Sequence, residues 1–339
     1  MTEPAPPSST APAIAVVIPS FKVKDFILDV IAAMPPQVQR IYVVDDACPA
    51  GSGKHVQQHC TDARVSVLFH EANRGVGGAV MSGYRAAIDD GAEVIVKIDG
   101  DGQMDAALID DFVDPILRGD ADYTKGNRFY DLESLASMPR SRVFGNAALS
   151  LLAKLSTGYW DLFDPTNGYT AIHADVARHL PFHRISERYF FETDILFRLG
   201  TIRAVVVDVP MDARYGDEVS NLKISRIFGE FLGKHIRNTF KRIFYNYFLR
   251  DMSAASLELV FGTLILLFGT IFGALHWMHS ARAHVATPVG TIIIAALSVL
   301  CGLQLLLAFL NHDVSHLPSR ALHKRSSMRA SQRASNRKA

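Results

Sequence analysis

The chain has 339 residues, 49% of them hydrophobic, which is enough for one sizeable core and additional apolar segments. Its three cysteines are scattered, and this argues against a disulfide framework or a cysteine-ligated zinc site. The formal net charge of +1 hides a division, since residues 1–222 carry 20 Lys and Arg against 30 Asp and Glu, whereas residues 223–339 carry 15 against 4. The acidic part suits a metal-dependent enzyme, and the basic, apolar part suits an anionic membrane surface.

The amino-terminal part of the chain is organised as a short lead followed by one domain. Residues 1–13 have neither the basic nor the apolar region of a signal peptide, so we expect a disordered lead. Over residues 14–222, short apolar runs alternate with helical spacing, which predicts β-α-β units and a mostly parallel sheet. The predicted strands are 15–18, 41–44, 65–69, 94–98, 122–125 and 204–209, and the predicted helices are 24–34, 76–89 and 106–117.

An acidic run, Asp99-Gly100-Asp101-Gly102-Gln103, directly follows the predicted strand 94–98. The carboxyl ends of parallel strands form the edge of the sheet where open α/β folds bind ligands. Asp99 and Asp101 alternate along the backbone, so both carboxylates can meet one divalent cation, with the Gln103 amide oxygen as a third donor. A solvated acidic loop is the alternative. An EF-hand is excluded because Met104 stands where its glycine is needed, and because a strand precedes the run.

Two further segments carry signals of ligand binding. Asp45 and Asp46 end the second strand, where a carboxylate can accept a hydrogen bond from a nucleotide base or a ribose; simple turn residues are the alternative. The glycines in the segment 73–83 open a helix, but their spacing is neither that of the dinucleotide fingerprint nor that of the P-loop. Close helix packing and ligand contact both remain open for these glycines.

The carboxyl-terminal part of the sequence predicts a membrane anchor. Basic and aromatic residues at helical spacing over 223–252 predict amphipathic juxtamembrane helices, although a nucleic-acid surface has a similar composition. Residues 259–275 contain no charge, and the only strongly polar side chain in 288–310 is Gln304, so two transmembrane helices are predicted within 253–311. A buried hairpin is the alternative. With these spans we expect a membrane partner and no nucleic acid.

Glycines and flanking charges add detail to this anchor. Gly269 and Gly273 form a small-xxx-small face that is suited to packing the two spans and is compatible with a homo-oligomer. The loop between the spans holds only Arg282, whereas both flanks are basic. By the positive-inside rule the α/β domain is cytoplasmic, which we expect at the inner or plasma membrane of a prokaryote. Residues 312–339 are expected to form a basic, disordered tail.

Five motifs follow one another in a fixed order across residues 14–129: V-I-P-S-F, V-V-D-D, N-R-G-V-G-G-A, D-G-D-G-Q and K-G-N-R-F. In this order the sequence resembles the family-2 glycosyltransferases of the GT-A fold. Among them it is similar to the dolichyl- and polyprenyl-phosphate sugar synthases, which join a D-x-D-x-Q metal motif to carboxyl-terminal membrane helices. The resemblance implies a Rossmann-like GT-A α/β domain that is followed by amphipathic helices and a transmembrane hairpin.

The resemblance also implies an activity. It is that of a membrane-anchored, inverting glycosyltransferase that moves one sugar from a nucleotide sugar, GDP-mannose or a UDP-hexose, to polyprenyl or dolichyl phosphate on the cytoplasmic leaflet. A phosphate monoester is already largely dianionic at neutral pH and needs no general base. Transfer to another glycolipid or to a polysaccharide is the alternative, although the Q-x-x-R-W motif of processive relatives is missing. A catalytically silent scaffold is a further alternative, which the complete metal motif disfavours.

The site residues implied by the resemblance are as follows. Asn127 replaces the family's usual serine before Arg128, and Glu192-Thr193-Asp194 departs from the T-E-D order in which relatives carry a catalytic acid. Residues 164–169 resemble the acceptor-side loop. The implied roles are binding of Mg²⁺ or Mn²⁺ by Asp99, Asp101 and Gln103, donor binding by Pro19, Asp45, Asp46, Asp99, Arg214 and Lys223, acceptor-phosphate binding by Arg128, Arg142 and Asn146, and catalysis by Asp101, Arg128 and Asp194.

Overall fold

Seven strands form a single mixed sheet. The structure, a computed structural model, describes residues 12–130, 140–212 and 224–324, with side chains except at 140–144 and 224–228. The strands are β1 (Ile14–Ser20), β2 (Val38–Asp45), β3 (Val65–Phe69), β4 (Val94–Lys97), β5 (Tyr123–Asn127), β6 (Thr170–His173) and β7 (Val206–Pro210). Their order is β3-β2-β1-β4-β6-β5-β7, and only β6 is antiparallel to its neighbours. The predicted α/β class with a mostly parallel sheet is confirmed.

Ten α-helices are described, with 3-10 turns at Ala106–Leu108 and Phe182–Arg184 and a π-helical segment at Tyr245–Arg250. The chain forms two compact units, one of Met1–His235 with Pro318–Ala339 and one of Ile236–Leu317. The helices are α1 (Ile27–Ala32), α2 (Ser52–His59), α3 (Val76–Asp89), α4 (Ile109–Arg118), α5 (Arg140–Thr157), α6 (Ala174–Arg178), α7 (Phe191–Ile202), α8 (Ile224–Phe244), α9 (Ala254–Arg282) and α10 (Val289–Ser315).

Both faces of the sheet are covered in the first unit, which explains why its central strands are continuous apolar runs. Successive side chains of β1 point to opposite faces. Val17 packs in a cluster with Tyr84 of α3, while Val16 packs in a second cluster with Ile27 of α1 and Phe112 of α4. The central strands of the sheet are therefore buried between two helical layers.

In the second unit, α9 and α10 form a hairpin that packs through glycines. A Cβ atom placed at Gly269 would lie 2.7 Å from the Ser298 Cβ, and one placed at Gly273 would lie 3.1 Å from the Ala295 Cβ. The backbones can therefore approach closely, and the predicted small-residue packing of the two spans is confirmed. The helices have 29 and 27 residues, long and apolar enough to cross a membrane, and most of their apolar side chains are exposed.

A buried ion pair lies in the same unit, at the end of this hairpin. The Arg242 guanidinium donates to both carboxylate oxygens of Asp313, at 2.6 and 2.9 Å, and the Tyr247 hydroxyl donates to the same carboxylate at 2.6 Å. Such a pair ties the end of α8 and the π-helical segment to the end of α10. Removing one partner from a buried pair typically costs about 3–5 kcal/mol, so the arrangement fixes this junction.

After α10 the chain returns to the first unit and docks beside β5. The buried Asp122 carboxylate accepts hydrogen bonds from Leu322 N at 2.8 Å and from His323 Nδ1 at 2.8 Å, and also from Val205 N at 2.9 Å. The His323 ring stacks on His173 with a centroid separation of 4.2 Å. The predicted disordered tail is therefore wrong for residues 312–324, because α10 extends to residue 315 and a buried carboxylate captures residues 322–323. Residues 325–339 lie outside the described part of the chain.

We expect the Asp122→Asn substitution to release this docked segment and to lower the free energy of unfolding by about 1.5–3 kcal/mol, the range for hydrogen bonds to a charged group. Burial alone would raise the pKa of Asp122, but the hydrogen bonds from His323, Leu322 and Val205 outweigh it and hold the pKa below its ordinary value. The Asp122 carboxylate therefore stabilises the fold fully at pH values above the ordinary pKa of an aspartate. This stabilisation is lost as the pH falls through the depressed pKa of the folded state.

The measurement is thermal unfolding between pH 2 and pH 7, combined with hydrogen exchange at residues 322 and 323. The variant should lose the part of the acid-dependent stability that Asp122 contributes, so its stability should fall less steeply between neutral and acid pH than that of the unaltered protein. Asp120→Asn, at an exposed neighbouring carboxylate, is the matched control and should leave both measurements unchanged. Equal stability of the Asp122→Asn variant and the unaltered protein across this pH range would contradict the assignment.

Candidate active site

Three parallel strands end at the sheet edge that the sequence indicated for ligand binding. Pro19 and Ser20 end β1 and lie in register with Val44 and Asp45 at the end of β2. β4 pairs with β1 in parallel on the other side, and Asp99 follows it closely. The acidic residues that follow β2 and β4 are therefore brought to one edge on either side of β1, as predicted.

The Asp45 carboxylate is buried and builds the turn that leads into α2. Its two oxygens accept hydrogen bonds from Cys48 N at 2.7 Å and from Gly53 N at 2.6 Å. Gly53 is required here, because a Cβ atom at this position would lie 2.6 Å from the Asp45 Cβ. These contacts match the turn-building alternative that the sequence left open, and a contact between Asp45 and a nucleotide stays a prediction.

The Asp46 carboxylate is likewise buried, and it holds the loop before α3. It accepts hydrogen bonds from Arg74 N at 2.9 Å and from Gly75 N at 2.7 Å. His70, directly after β3, places Nδ1 2.7 Å from an Asp46 oxygen and Nε2 2.9 Å from the Ser82 hydroxyl. His70 was not among the predicted site residues, although its position directly after a strand was a usable signal. Nucleotide binding by Asp46 also stays a prediction.

The glycines of α3 serve packing in this structure. A Cβ atom at Gly77 would lie 2.7 Å from the Phe191 ring at the start of α7. A Cβ atom at Gly83 would overlap the Val17 side chain of β1. Glycine therefore lets α3 lie close to both the sheet and α7, and packing accounts for the glycine-rich pattern at these two positions.

The acidic run forms a compact loop after β4. Asp101 accepts a hydrogen bond from Gln103 N at 3.0 Å, and Asp99 N donates to the Met104 sulfur at 3.3 Å. Gly102 has a φ of 76°, in the left-handed region that favours glycine. The Asp99 side chain is 30% exposed, so its carboxylate is accessible from outside the protein while the loop is held by its own contacts.

A fully buried lysine lies directly beneath this loop. The Lys97 ammonium is 2.8 Å from Asp99 Oδ1 and 3.7 Å from Glu192 Oε1 on α7. Burial alone would lower the pKa of Lys97, but the charges of Asp99 and Glu192 raise it above its ordinary value, so the ammonium stays protonated. Burial raises the pKa of Glu192, and the neighbouring charges of Lys97 and Lys125 partly offset this.

Lys125 is a second buried cation, and it contacts the backbone of the loop 164–169, for which an acceptor-side role is predicted. Its ammonium donates a hydrogen bond to the Asn167 carbonyl oxygen. Burial lowers the pKa of Lys125 to about 8, against the opposing effects of Glu192 and Asp164. Lys97 and Lys125 were predicted only as strand residues, but a lysine inside an otherwise buried strand was a signal that could have marked both.

Arg128 follows β5 and is held by a buried carboxylate. Its guanidinium donates from Nε to Asp164 at 2.7 Å and from Nη2 to the other Asp164 oxygen at 3.2 Å. Next to it, Asn127 donates to Asp208 at 3.2 Å, and burial raises the pKa of Asp208 to about 6. The bidentate pair fixes the direction of the arginine, and the Arg128 side chain remains about one-third exposed.

Asp194 points away from the buried lysines. Glu192 and Asp194 are two residues apart on α7, so their side chains leave the helix about 200° apart. Asp194 is buried and accepts a hydrogen bond from Ser186 N at 2.8 Å, which anchors the loop before α7. A catalytic role of Asp194 stays a prediction. Of the two acids on α7, Glu192 is the one that lies near Lys97.

The remaining predicted residues are only partly described. Asn146 lies on α5 and is half-buried. Arg142 lies on the same helix, but its side chain is outside the described part of the structure, as are Arg214 and Lys223 in full. Their predicted contacts with the donor and with the acceptor phosphate therefore stay predictions.

Comparison with known proteins identifies the relatives of this chain. Residues 15–180 match the model of glycosyl transferase family 2. The undecaprenyl-phosphate mannosyltransferase of Micrococcus luteus is 31% identical over 173 residues, which is 50% of this chain and 70% of that protein. The dolichol-phosphate mannosyltransferase of Pyrococcus furiosus is 24% identical over 233 residues, 67% of this chain and 64% of that protein.

A UDP-N-acetylglucosamine–dolichyl-phosphate N-acetylglucosaminyltransferase of Methanococcus voltae is 28% identical over 45% of this chain and 60% of its own length. Among solved structures, glucosyl-3-phosphoglycerate synthase from Mycobacterium tuberculosis, in complex with Mn²⁺, UDP and phosphoglyceric acid, has a TM-score of 0.52 at 18% identity, covering 68% of this chain and 78% of that one. At this level of identity the structural similarity shows the shared GT-A fold and nothing more. Together with the matched motifs and the sheet topology, the relatives show that the chain belongs to glycosyl transferase family 2.

Proposed function

We propose that this protein transfers a single sugar from a nucleotide sugar to a polyprenyl phosphate at a membrane. One observation carries the proposal: the same chain contains two features of such an enzyme. The Asp99–Gln103 loop lies at the edge of a GT-A sheet, and two helices are long and apolar enough to span a membrane. The named activities of three relatives, two mannosyltransferases and one N-acetylglucosaminyltransferase, all specify polyprenyl-type phosphate acceptors. These names leave the sugar open between a hexose and an N-acetylhexosamine.

The donor set of the acidic loop fits a hard divalent cation. Among the described residues, no group of three or more His, Cys, Asp or Glu side chains is arranged to hold a metal. Asp99, Asp101 and Gln103 would instead supply two carboxylates and one amide oxygen, a partial set of the kind Mg²⁺ uses when substrate phosphates complete its coordination. The bound cation would neutralise the diphosphate that leaves the sugar.

The space beside Asp99 supports the same assignment. Gly168 faces the carboxylate, and a Cβ atom there would lie 2.5 Å from Asp99 Oδ2 and 2.6 Å from the Lys97 ammonium. Only glycine therefore leaves the Asp99 carboxylate in its place. Gly168 belongs to the predicted acceptor-side loop, so this loop and the metal-binding loop are built against each other.

The chemistry needs positioning more than proton transfer. One oxygen of the lipid phosphate attacks the anomeric carbon as the bond to the nucleoside diphosphate breaks, which gives a lipid-linked sugar phosphate with inverted configuration. Because the phosphate is already largely dianionic, no side chain has to remove a proton. Arg128, oriented by Asp164, would hold the acceptor phosphate, and we assign the same task to Arg142 and Asn146.

The donor side of the site rests on the family pattern. We assign Pro19, Asp45 and Asp46 to the nucleoside and Arg214 and Lys223 to the segment that closes over the donor. The contacts of Asp45 and Asp46 with backbone amides would then shape the pocket walls. The basic residues that flank the two spans support a cytoplasmic position for the site, by the positive-inside rule.

The decisive measurement is transfer of radiolabelled sugar from GDP-mannose, UDP-glucose or UDP-N-acetylglucosamine to undecaprenyl or dolichyl phosphate with Mg²⁺ or Mn²⁺. We expect the Asp101→Ala variant to lose at least about a hundredfold in kcat, the usual cost of removing one transition-state stabilising group. Asp120→Ala, at an exposed carboxylate, should retain full activity. Failure of the unaltered protein to form a lipid-linked product from any of these donors would overturn the proposal.

We expect Gly168→Ala to weaken Mn²⁺ binding and transfer together, because the added methyl group displaces Asp99 or Lys97. Gly145→Ala on α5 is the matched control, since no described atom lies within 4 Å of a Cβ atom placed there. Isothermal titration with Mn²⁺ and UDP or GDP checks the first effect. Unchanged Mn²⁺ affinity in Gly168→Ala would contradict the close approach of this glycine to the Asp99 carboxylate.

We expect Arg128→Lys to raise KM for the lipid phosphate roughly tenfold or more, because lysine cannot keep the bidentate contact with Asp164 while it faces a phosphate. KM for the nucleotide sugar should change little. Arg178→Lys, at an exposed ion pair with Asp175, serves as the control. An unchanged KM for the lipid phosphate would remove Arg128 from the acceptor site.

A further inference from the structure

Lys97 is a buried cation placed between two carboxylates, only one of which belongs to the metal-binding motif. Its side chain is 1% exposed, with Asp99 Oδ1 at 2.8 Å and Glu192 Oε1 at 3.7 Å. Lys125, fully buried on β5, is the second cation that interacts with Glu192. With all four side chains ionised, the two lysines and the two acids carry no net charge together, so removing any single one of these charges leaves an excess charge in the cluster.

A buried ammonium without a counter-ion is far more costly than an exposed one. Lys97 and a divalent cation would compete for the same Asp99 carboxylate, because both draw on its negative charge. If Asp99 were the only partner of Lys97, engaging it elsewhere would leave this ammonium without a counter-ion. Glu192 lies close enough to Lys97 to take over that task.

We propose that Glu192 is a positioning residue that acts as the second counter-ion of Lys97 and so makes Asp99 available to a divalent cation and the donor diphosphate. The inference rests on the proposed function for the assignment of Asp99 as a ligand and for the phosphate acceptor. It gives the acid of the E-T-D segment a task other than that of a general base. Glu192 acts through Lys97 and does not need to touch the substrate.

Position and charge both favour this role over that of a base. Glu192 is 15% exposed, and its Oε1 lies 3.7 Å from the Lys97 ammonium, while the charge of Lys125 also acts on its carboxylate. The negative charge of Glu192 therefore serves to balance buried cations. Asp194, the other acid of the segment, leaves α7 in a different direction and bonds to Ser186 N. A base also has no proton to remove from a phosphate acceptor that is already dianionic.

The test measures binding of Mn²⁺ to the full-length protein in detergent with UDP or GDP present, by isothermal titration and by the electron paramagnetic resonance signal of Mn²⁺. Neither acceptor nor transfer is involved. We expect Glu192→Gln to weaken Mn²⁺ binding roughly tenfold, a common size for coupling within one charge network, because Lys97 then holds Asp99 without a competitor. Glu93→Gln, at an exposed residue just before β4, should bind Mn²⁺ as the unaltered protein does.

The double variant Lys97→Met with Glu192→Gln gives the sharper result. Removing the competing ammonium should restore most of the Mn²⁺ affinity that Glu192→Gln alone loses. A merely structural role of Glu192 predicts the opposite, since two buried substitutions would then add their damage. Unchanged affinity in Glu192→Gln, or a double variant that binds no better than Glu192→Gln, would overturn the inference.

Stability and activity are read separately. Thermal unfolding without Mn²⁺ shows whether each variant is folded, and if Glu192→Gln does not fold, Glu192→Asp takes its place and should give a smaller loss of affinity in the same direction. Absence of Mn²⁺ binding by the unaltered protein would overturn both the inference and the metal assignment. A protein that shows the expected Mn²⁺ pattern but forms no lipid-linked product would refute the proposed function alone.

Discussion

The ion pair between the buried ammonium of Lys97 and the partly exposed carboxylate of Asp99 is the constraint around which the site is arranged. It joins the last residue of a central strand to the first acid of the metal motif at a separation of 2.8 Å. A buried ammonium needs nearby negative charge to offset the loss of its hydration, and Glu192 on α7 supplies a second carboxylate for this purpose. It also leaves no space for a side chain at position 168, so the loop of residues 164–169 must present a glycine there.

Carboxylates elsewhere in the first unit have a different role, which is to accept hydrogen bonds from backbone amides and so to fix loops. Asp45, Asp46 and Asp194 each accept hydrogen bonds from amides of a neighbouring loop, and Asp122 does the same for the returning carboxyl-terminal segment. Buried carboxylates that accept several amide hydrogen bonds fix loops firmly. An acid at a strand end is therefore weak evidence of catalysis until its hydrogen-bond partners are known. Asp99 differs from these four acids because a buried lysine ammonium lies 2.8 Å from its partly exposed carboxylate.

The sequence was sufficient for the parts of the fold whose signal is local. Strand β3 and helix α3 have the predicted bounds, because an apolar run and a 3.6-residue period are both visible in neighbouring residues. Strand β6 was not predicted, since Thr170–His173 is four residues long and is stabilised by pairing with β4 and β5, which are far away in sequence. The docking of residues 322–323 was missed for the same reason, because its partner Asp122 lies 200 residues earlier.

The same distinction holds for the candidate site. The order of motifs identified the family and placed Asp99 at the correct sheet edge, but the lysines that support it gave only single-residue signals inside apolar strands. Their meaning depends on α7 and on the loop before β6, which reach them only through the fold. Burying the charge of a lysine in a strand beside an acidic strand end destabilises the fold unless an opposite charge lies close by. This signal marks Lys97 directly in the sequence, whereas Lys125, which is followed by Gly126, Asn127 and Arg128, is marked only by its place in a buried strand.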